Sequence, residues 1–145
     1  MSEFEKKLAQ LSADLNTQGA RISDQLIRAV ESTFDGNVDS AKVVVASDTI
    51  IDQVDVEIER ACIELLRLGA TDEHSIRSVL TIVKVNNELE RIADCAVIVA
   101  ESAINHNDLI SSAPPTFRVM ANSVVGMAQD TNKALAETDT EVALR

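Results

Sequence analysis

The chain has 145 residues, enough for one domain with a substantial core, and 46% of them are apolar while only 2% are aromatic. Four Gly and two Pro are too few for the many turns of a β fold, so the composition points to an all-α architecture packed through aliphatic side chains. A net charge of −11 argues against binding the phosphate backbone of nucleic acid or an anionic membrane surface, and suits cations or a basic protein partner.

In chain order, apolar residues at three-and-four spacing predict a first helix over 3–34, with Phe4, Leu8, Leu11, Leu15, Ile22, Leu26, Ala29 and Thr33 inward. "DGN" at 35–37 is a turn. A second helix over 38–68 carries Val44, Ile51, Val54, Ile58, Ala61, Leu65 and Leu68 on one stripe. Gly69 suits the position after its C-cap, and Thr71 or Asp72 can cap the next helix. That third helix spans 72–106, with Ile76, Val79, Val83 and Val97 on its apolar face. "NDLISSAPPT" reads as a linker, because Pro114–Pro115 bars helix through it. A fourth helix is predicted over 116–136, with Phe117, Met120, Val124, Met127 and Thr131 inward.

Short turns between the first three helices imply an antiparallel bundle of three long helices over 1–108. A helix of this length reaches about 45 Å, so the unit is a rod. Residues 109–115 form the Pro-containing linker, and 116–145 the fourth helix and tail. The tail "AETDTEVALR" echoes "VESTFDGNVDSAK" at 30–42, which suggests a second repeat that begins and stops early. No run approaches the roughly 18 apolar residues of a membrane span, and "MSEFEKKLAQL" is charged rather than signal-like. Cys62 and Cys95 lack CxxC spacing and read as reduced, packed thiols, so a cytoplasmic location is expected.

The acids are the unusual feature. Asp48, Asp52, Asp55 and Glu59 recur at i, i+4, i+7 and i+11, which draws one line along the second helix. That line is bordered by Val44, Ile51 and Ile58 on one side and Val45, Val56 and Ile63 on the other. On the third helix Glu90 and Asp94 fall within the apolar face. Glu57 and Glu64 have Arg60 or Arg67 one turn away, as solvated helix acids often do, but Asp48, Asp52, Asp55, Glu59 and Glu90 have no Lys or Arg at those offsets. Asp94 has only Arg91. Each like-charge pair costs about 0.2–0.5 kcal/mol even on an exposed helix, and more when half-buried.

Three arrangements would offset that cost. Arg77, Lys84 and Arg91, with Arg21 and Arg28 of the first helix, could pair with the acids across the bundle. The acids could line a wet groove. Or oxygen ligands from two helices at one-turn spacing could hold a cation such as magnesium, manganese, calcium or ferric iron. No Glu-x-x-His occurs, and His74 and His106 lie at opposite ends of the third helix, which excludes the ferritin-like di-iron pattern.

The stretches "DTIIDQVDVEIERACIELLRL" and "SIRSVLTIVKVNNELERIADCAVIVA" resemble the PhoU family of phosphate-uptake regulators. The matching residues are Asp48 and Asp52, Glu57 and Glu59, Arg77, Lys84 and Leu89-Glu90-Arg91-Ile92-Ala93-Asp94, in the family's order and spacing. The likeness is close over 48–100, looser over the first helix, and resumes over 116–145. Ala70 and Ser75-Ile76-Arg77 depart from the family's Pro and "DLR", Ala93 replaces Gly, and Ile98 replaces Asn. Family members carry two three-helix units, where this chain holds one plus a helix and tail.

The resemblance implies a metal site at Asp48, Asp52, Glu90 and Asp94, with iron, zinc, magnesium or manganese as the ion. Asp55 and Glu59 on the same line are second-rank ligands, and Arg77, Lys84 and Arg91 are charge partners. It implies a regulator without catalytic activity, whose partners are the ATPase of the phosphate ABC transporter and the phosphate-sensing histidine kinase. It leads us to expect a homodimer, with two chains together completing the second unit. A metal-free helical adaptor and a carboxylate-metal enzyme are the alternatives. The latter lacks any nucleophile–base pair or Gly-rich phosphate loop in the sequence.

Overall fold

The computed structural model describes residues 1–69 and 72–143, and the side chains of these up to residue 137. Five helices occur in order: α1 Glu3–Asp35, α2 Val38–Arg67, α3 Glu73–Asn105, α4 Asn107–Ile110 and α5 Pro115–Ala143. The fold is all-α, as the composition requires.

Each long helix of the bundle starts where a short polar side chain satisfies the free N–H groups of its first turn. Ser2 and Glu5 form a capping box, with Ser2 Oγ accepting from the Glu5 N–H at 3.2 Å and the Ser2 N–H donating to Glu5 at 2.7 Å. Asn37 accepts from the Ser40 N–H at the start of α2, and Asp72 from the Ser75 N–H at the start of α3. Thr71, the other candidate cap, lies outside the described residues. Gly36 ends α1 at φ 65°, a left-handed conformation that admits glycine without a Cβ clash.

α1, α2 and α3 pack against one another, and cross-helix contacts fix their sense. Gln18 of α1 meets Ile51 of α2, and Gln25 meets Val44, so α2 runs back as α1 advances. The buried positions keep a three-four alternation on all three rods. On α1 this row is Leu11, Leu15, Gln18, Ile22, Gln25 and Ala29, with Gly19, Ser23, Leu26, Val30 and Ser32 also buried beside it. On α3 the row is Val79, Ile82, Asn86, Leu89, Ala93, Ala96, Ala100 and Ala103. On α2 the same alternation runs through Ala41, Val44, Ile51, Ile58, Cys62 and Leu65, and it is interrupted at Asp48 and Asp55. Such a repeat keeps one seam facing its neighbours over the length of a helix.

The core is graded in size. One end is built from Leu, Ile and Val, including Leu15, Ile22, Ile51, Ile58, Leu65, Val79 and Leu89. The other end is held by Ala29, Ala41, Ala96, Ala100 and Ala103, all at most 1% exposed, where small side chains bring the backbones close. Leu68 and Ile76, expected inward, flank the α2–α3 turn and are exposed, because the bundle has no further layer there to cover them.

The fourth long helix corrects the expectation more substantially. Phe117, Met120, Val124, Met127 and Thr131 are exposed, not inward. α5 instead lays Ala121, Val125, Ala128 and Leu135 against the bundle and makes its main contact with α1. The physical reason is close approach. Ala121, Val125 and Ala128 pack against the cluster that holds Leu26, Ala29 and Val30, and Asn132 meets Gly19, donating to its carbonyl at 2.7 Å and to Ser23 Oγ at 2.6 Å. Arg118 fastens the other end by pairing with Asp35 at 3.6 Å and lying 5.2 Å over the Phe34 ring.

Helix α5 also extends past the expected end at 136, since no Gly or Pro comes after Gly126. The side chains of the echoed tail lie outside the described residues beyond 137. Within the expected linker, 107–110 form the short α4, and Pro115 occupies the first position of α5, where its missing N–H costs nothing.

Candidate metal centre: a carboxylate strip between two helices

Six acids lie along the α2–α3 groove. Asp48 and Asp55 sit at seam positions of α2 and are half-buried, while Asp52 and Glu59, one position further round, are exposed. On α3 Glu90 is half-buried and Asp94 exposed. The strip therefore lies at the rim of the core, with its inner oxygens in protein and its outer ones in water. The border formed by Val44, Ile51 and Ile58 is buried; the border formed by Val56 and Ile63 is open.

Three of the five expected charge partners are engaged elsewhere. Arg77 pairs with Glu73 at 2.6 Å and Arg91 with Glu88 at 3.1 Å, each within its own helix. Arg21 donates to Gln18 at 2.7 Å. Among the described residues Lys84 makes no ion pair, and none of the six strip acids does. Among the described residues the cross-bundle lattice of salt bridges is not formed.

The electrostatic consequence is uniform in sign. Burial pushes the Asp48 carboxyl above the usual range, Asp52 and Asp94 add to that, and the amide of Gln25 within hydrogen-bonding reach opposes it. Burial likewise raises Asp55, with Glu59 and Asp52 adding and the Asn86 amide opposing. Glu90 is raised by burial and then by Asp94, Asp55, Asp52 and Asp48 in decreasing order. Every charge acting on these three groups is negative, and acids of α2 act on Glu90 across the groove. Taken alone, the strip is a set of acceptors held at an energetic cost.

Three buried amides that helical periodicity did not single out organise this strip. Gln18 donates to the Ile51 carbonyl at 2.9 Å and Gln25 to the Val44 carbonyl at 3.3 Å. Asn86 donates to the Asp55 carbonyl at 3.2 Å and to its carboxylate at 2.5 Å, which fixes the Asp55 rotamer. The signal is legible in the sequence: Gln18, Gln25 and Asn86 each occupy a seam position in a row of Leu, Ile and Ala, where a polar residue requires a buried partner.

As placed, no three His, Cys, Asp or Glu side chains among the described residues converge closely enough to hold an ion. The donor set still has the chemistry of a cation site. It consists of oxygen atoms alone, and the inner Asp48 Oδ1, the Gln25 Oε1 and the Asn86 Oδ1 are buried without a hydrogen-bond donor. Cys62 is buried, its thiol pushed up by burial and by Glu59, and it offers no ready thiolate; Cys95 is exposed, contrary to the expectation of a packed thiol.

The model of the PhoU domain matches residues 15–103, which holds most of α1, all of α2 and nearly all of α3. The chain belongs to the PhoU family. Its relatives include the phosphate-specific transport system accessory protein PhoU homolog 1 of Thermotoga maritima, 29% identical over 98% of this chain and 62% of the relative. The PhoU homolog of Aquifex aeolicus is 28% identical over 95% of this chain and 63% of its own length. The PhoU of Escherichia coli is 26% identical over 99% and 60%. The chain thus spans about three fifths of the length of these PhoU relatives, which are named as accessory proteins of phosphate-specific transport. No solved structure matches it. Asp48–Asp52 and Glu90–Asp94, the spaced acid pairs, all fall inside the PhoU match. No described helix is long and apolar enough to cross a membrane.

Proposed function

We propose that this chain is a regulatory accessory protein of phosphate uptake that works by binding other proteins, and that its α2–α3 strip holds a metal ion. The observation that carries the metal reading is the strip itself: six acids from two helices, none of them in an ion pair among the described residues, with three half-buried members under negative fields alone. Asp48, Asp52, Glu90 and Asp94 are the ligands, with Asp55 and Glu59 adjoining. A divalent or ferric ion there supplies positive charge that ties two antiparallel rods together. A ligand present at 100 times its Kd adds about 2.7 kcal/mol to the stability of the folded state.

The partner reading rests on the relatives' names and on the acidic, rod-shaped surface, which favours encounter with basic patches. The ATPase of a phosphate ABC transporter and a phosphate-sensing histidine kinase are the proteins to test. A pull-down of each by the purified chain, with and without phosphate and Mn²⁺, checks this. Retention of neither under any condition refutes the partner reading, whatever the metal content. The exposed apolar stripe of α5, Phe117, Met120, Val124 and Met127, carries no charge and favours pairing of two copies as the oligomeric form. Sedimentation over a concentration series decides between dimer and monomer.

The metal-free adaptor is the second reading. What favours it is that the strip acids do not converge on one point as placed. Metal content after purification without chelator separates the two.

A further inference from the structure

Helix α5 covers one flank of α1, the one that carries Gly19 and Ser23. At about 100° per residue the other flank carries Arg21 and Arg28, and there an open groove of about 260 Å³ runs between α1 and α2. Its floor is apolar, with Val44 and Ile51 each 1% exposed. Its rims differ. On the α2 side stands Ile50, 55% exposed, and on the α1 side stand Arg21, Asp24 and Arg28. Arg21 is steadied by its bond to Gln18, which leaves most of its five N–H donors free. Among the described residues neither arginine makes an ion pair, although Asp24 lies one turn from both. On a chain of net charge −11, this groove is a strip of net positive charge with an uncovered apolar edge.

We infer that the α1–α2 groove receives an acidic amphipathic helix of a partner protein. This goes beyond the reading above, in which basic patches of a partner meet the acidic surface. Charge complementarity selects the occupant: Arg21 and Arg28 are seven residues apart, about 10.5 Å along α1, which is the spacing of two carboxylates at i and i+7 on a partner helix. The apolar stripe between those acids lies on Ile50, as amphipathic helices lie in grooves elsewhere. Each guanidinium can take a carboxylate through two N–H groups, and the hold of Gln18 on Arg21 lowers the ordering that binding requires. Asp24 shapes the choice further. It stands between the two arginines, so the partner residue opposite it is neutral or basic, and a uniformly acidic helix is rejected.

The test selects binders of the full chain from a displayed library of short amphipathic helices with free choice of charge. Enriched peptides are then measured by fluorescence anisotropy against wild type, Arg28→Glu, Arg28→Lys and Ile50→Glu. The enriched helices should carry acids seven residues apart beside an apolar stripe. Arg28 and Ile50 are exposed, so the variants should melt close to wild type. Arg28→Glu and Ile50→Glu should each weaken binding about tenfold or more, Arg28→Lys by less, and added salt should weaken binding to wild type. Enrichment of basic contact faces, or of no helix at all, overturns the inference, and so does equal binding to wild type and both Glu variants. Should Ile50→Glu fail to fold, Arg28→Glu decides alone. If no helix binds but wild type self-associates in sedimentation and Arg28→Glu abolishes it, the occupant is a second copy and the inference falls.

Discussion

Asn132 of α5 and Gly19 of α1 are in such close contact that a Cβ on Gly19 would stand 2.7 Å from Asn132 Oδ1 and 3.3 Å from its Cγ. Asn132 also donates to the Gly19 carbonyl. This pair ties the register of α5 to α1, because a hydrogen bond and a close approach meet at the same residue.

Gly19→Ala should therefore act against its own helix propensity. In an exposed helix the change stabilises by about 1 kcal/mol. Here the new methyl forces Asn132 to turn, which removes its bonds to Gly19 and to the buried Ser23. The expected outcome is a split response: unchanged or greater protection of α1–α3 amides in hydrogen exchange, and faster exchange along α5. Uniform slowing that includes α5 would show that Asn132 does not anchor it.

The strip makes the metal-free bundle more stable in mild acid. Asp48, Asp55 and Glu90 have folded-state pKa values raised above their ordinary 3.8, 3.8 and 4.5. The folded state then binds protons more tightly than the unfolded chain, so its penalty is fully present above the raised values. That penalty is relieved as pH falls towards the ordinary ones. The caps act oppositely. Glu5 is lowered first by the Ser2 backbone N–H and Asp72 first by Ser75, so their contribution is lost in stronger acid. Melting temperature in chelator should rise from neutrality towards the ordinary carboxylate range and then fall. A monotonic fall from neutrality would contradict it.

Neutralising the strip should have opposite effects with and without metal. Asp52→Asn combined with Glu90→Gln removes like-charge pairs worth roughly 0.2–0.5 kcal/mol each at one-turn spacing. The apo protein should melt slightly higher than wild type, and the Mn²⁺-dependent increment should shrink or vanish. Differential scanning calorimetry in chelator and in Mn²⁺ checks both. A lower apo melting temperature would mean that these acids are stabilised by contacts other than a cation.

The alanine-packed end of the bundle should tolerate no added volume. Ala100 is fully buried among Ala96, Ala103, Ala29 and Val44 of the same cluster. Ala100→Leu should destabilise by about 1–3 kcal/mol through overpacking, read from the urea midpoint at unchanged slope. The same substitution at exposed Ala46 should fall within about 0.5 kcal/mol of wild type.

The sequence by itself determined the three long rods, their turns and the acid line, because these depend on short-range signals: the turn at 35–37, Gly69 after α2, a cap at Asp72, and i, i+4 and i+7 spacing. It also showed that no cation lies one turn from Asp48, Asp52, Asp55, Glu59 or Glu90. Only the tertiary structure decided which side of α5 is inward, since both its stripes are apolar and the contact was chosen by Gly19 and Asn132 across 113 residues. Likewise, only packing placed Asp48 and Asp55 at the seam with Gln25 and Asn86 beside them, and sent Arg77 and Arg91 to their own helix. Helical periodicity fixes the direction a side chain faces, but what it meets there depends on the neighbouring rod.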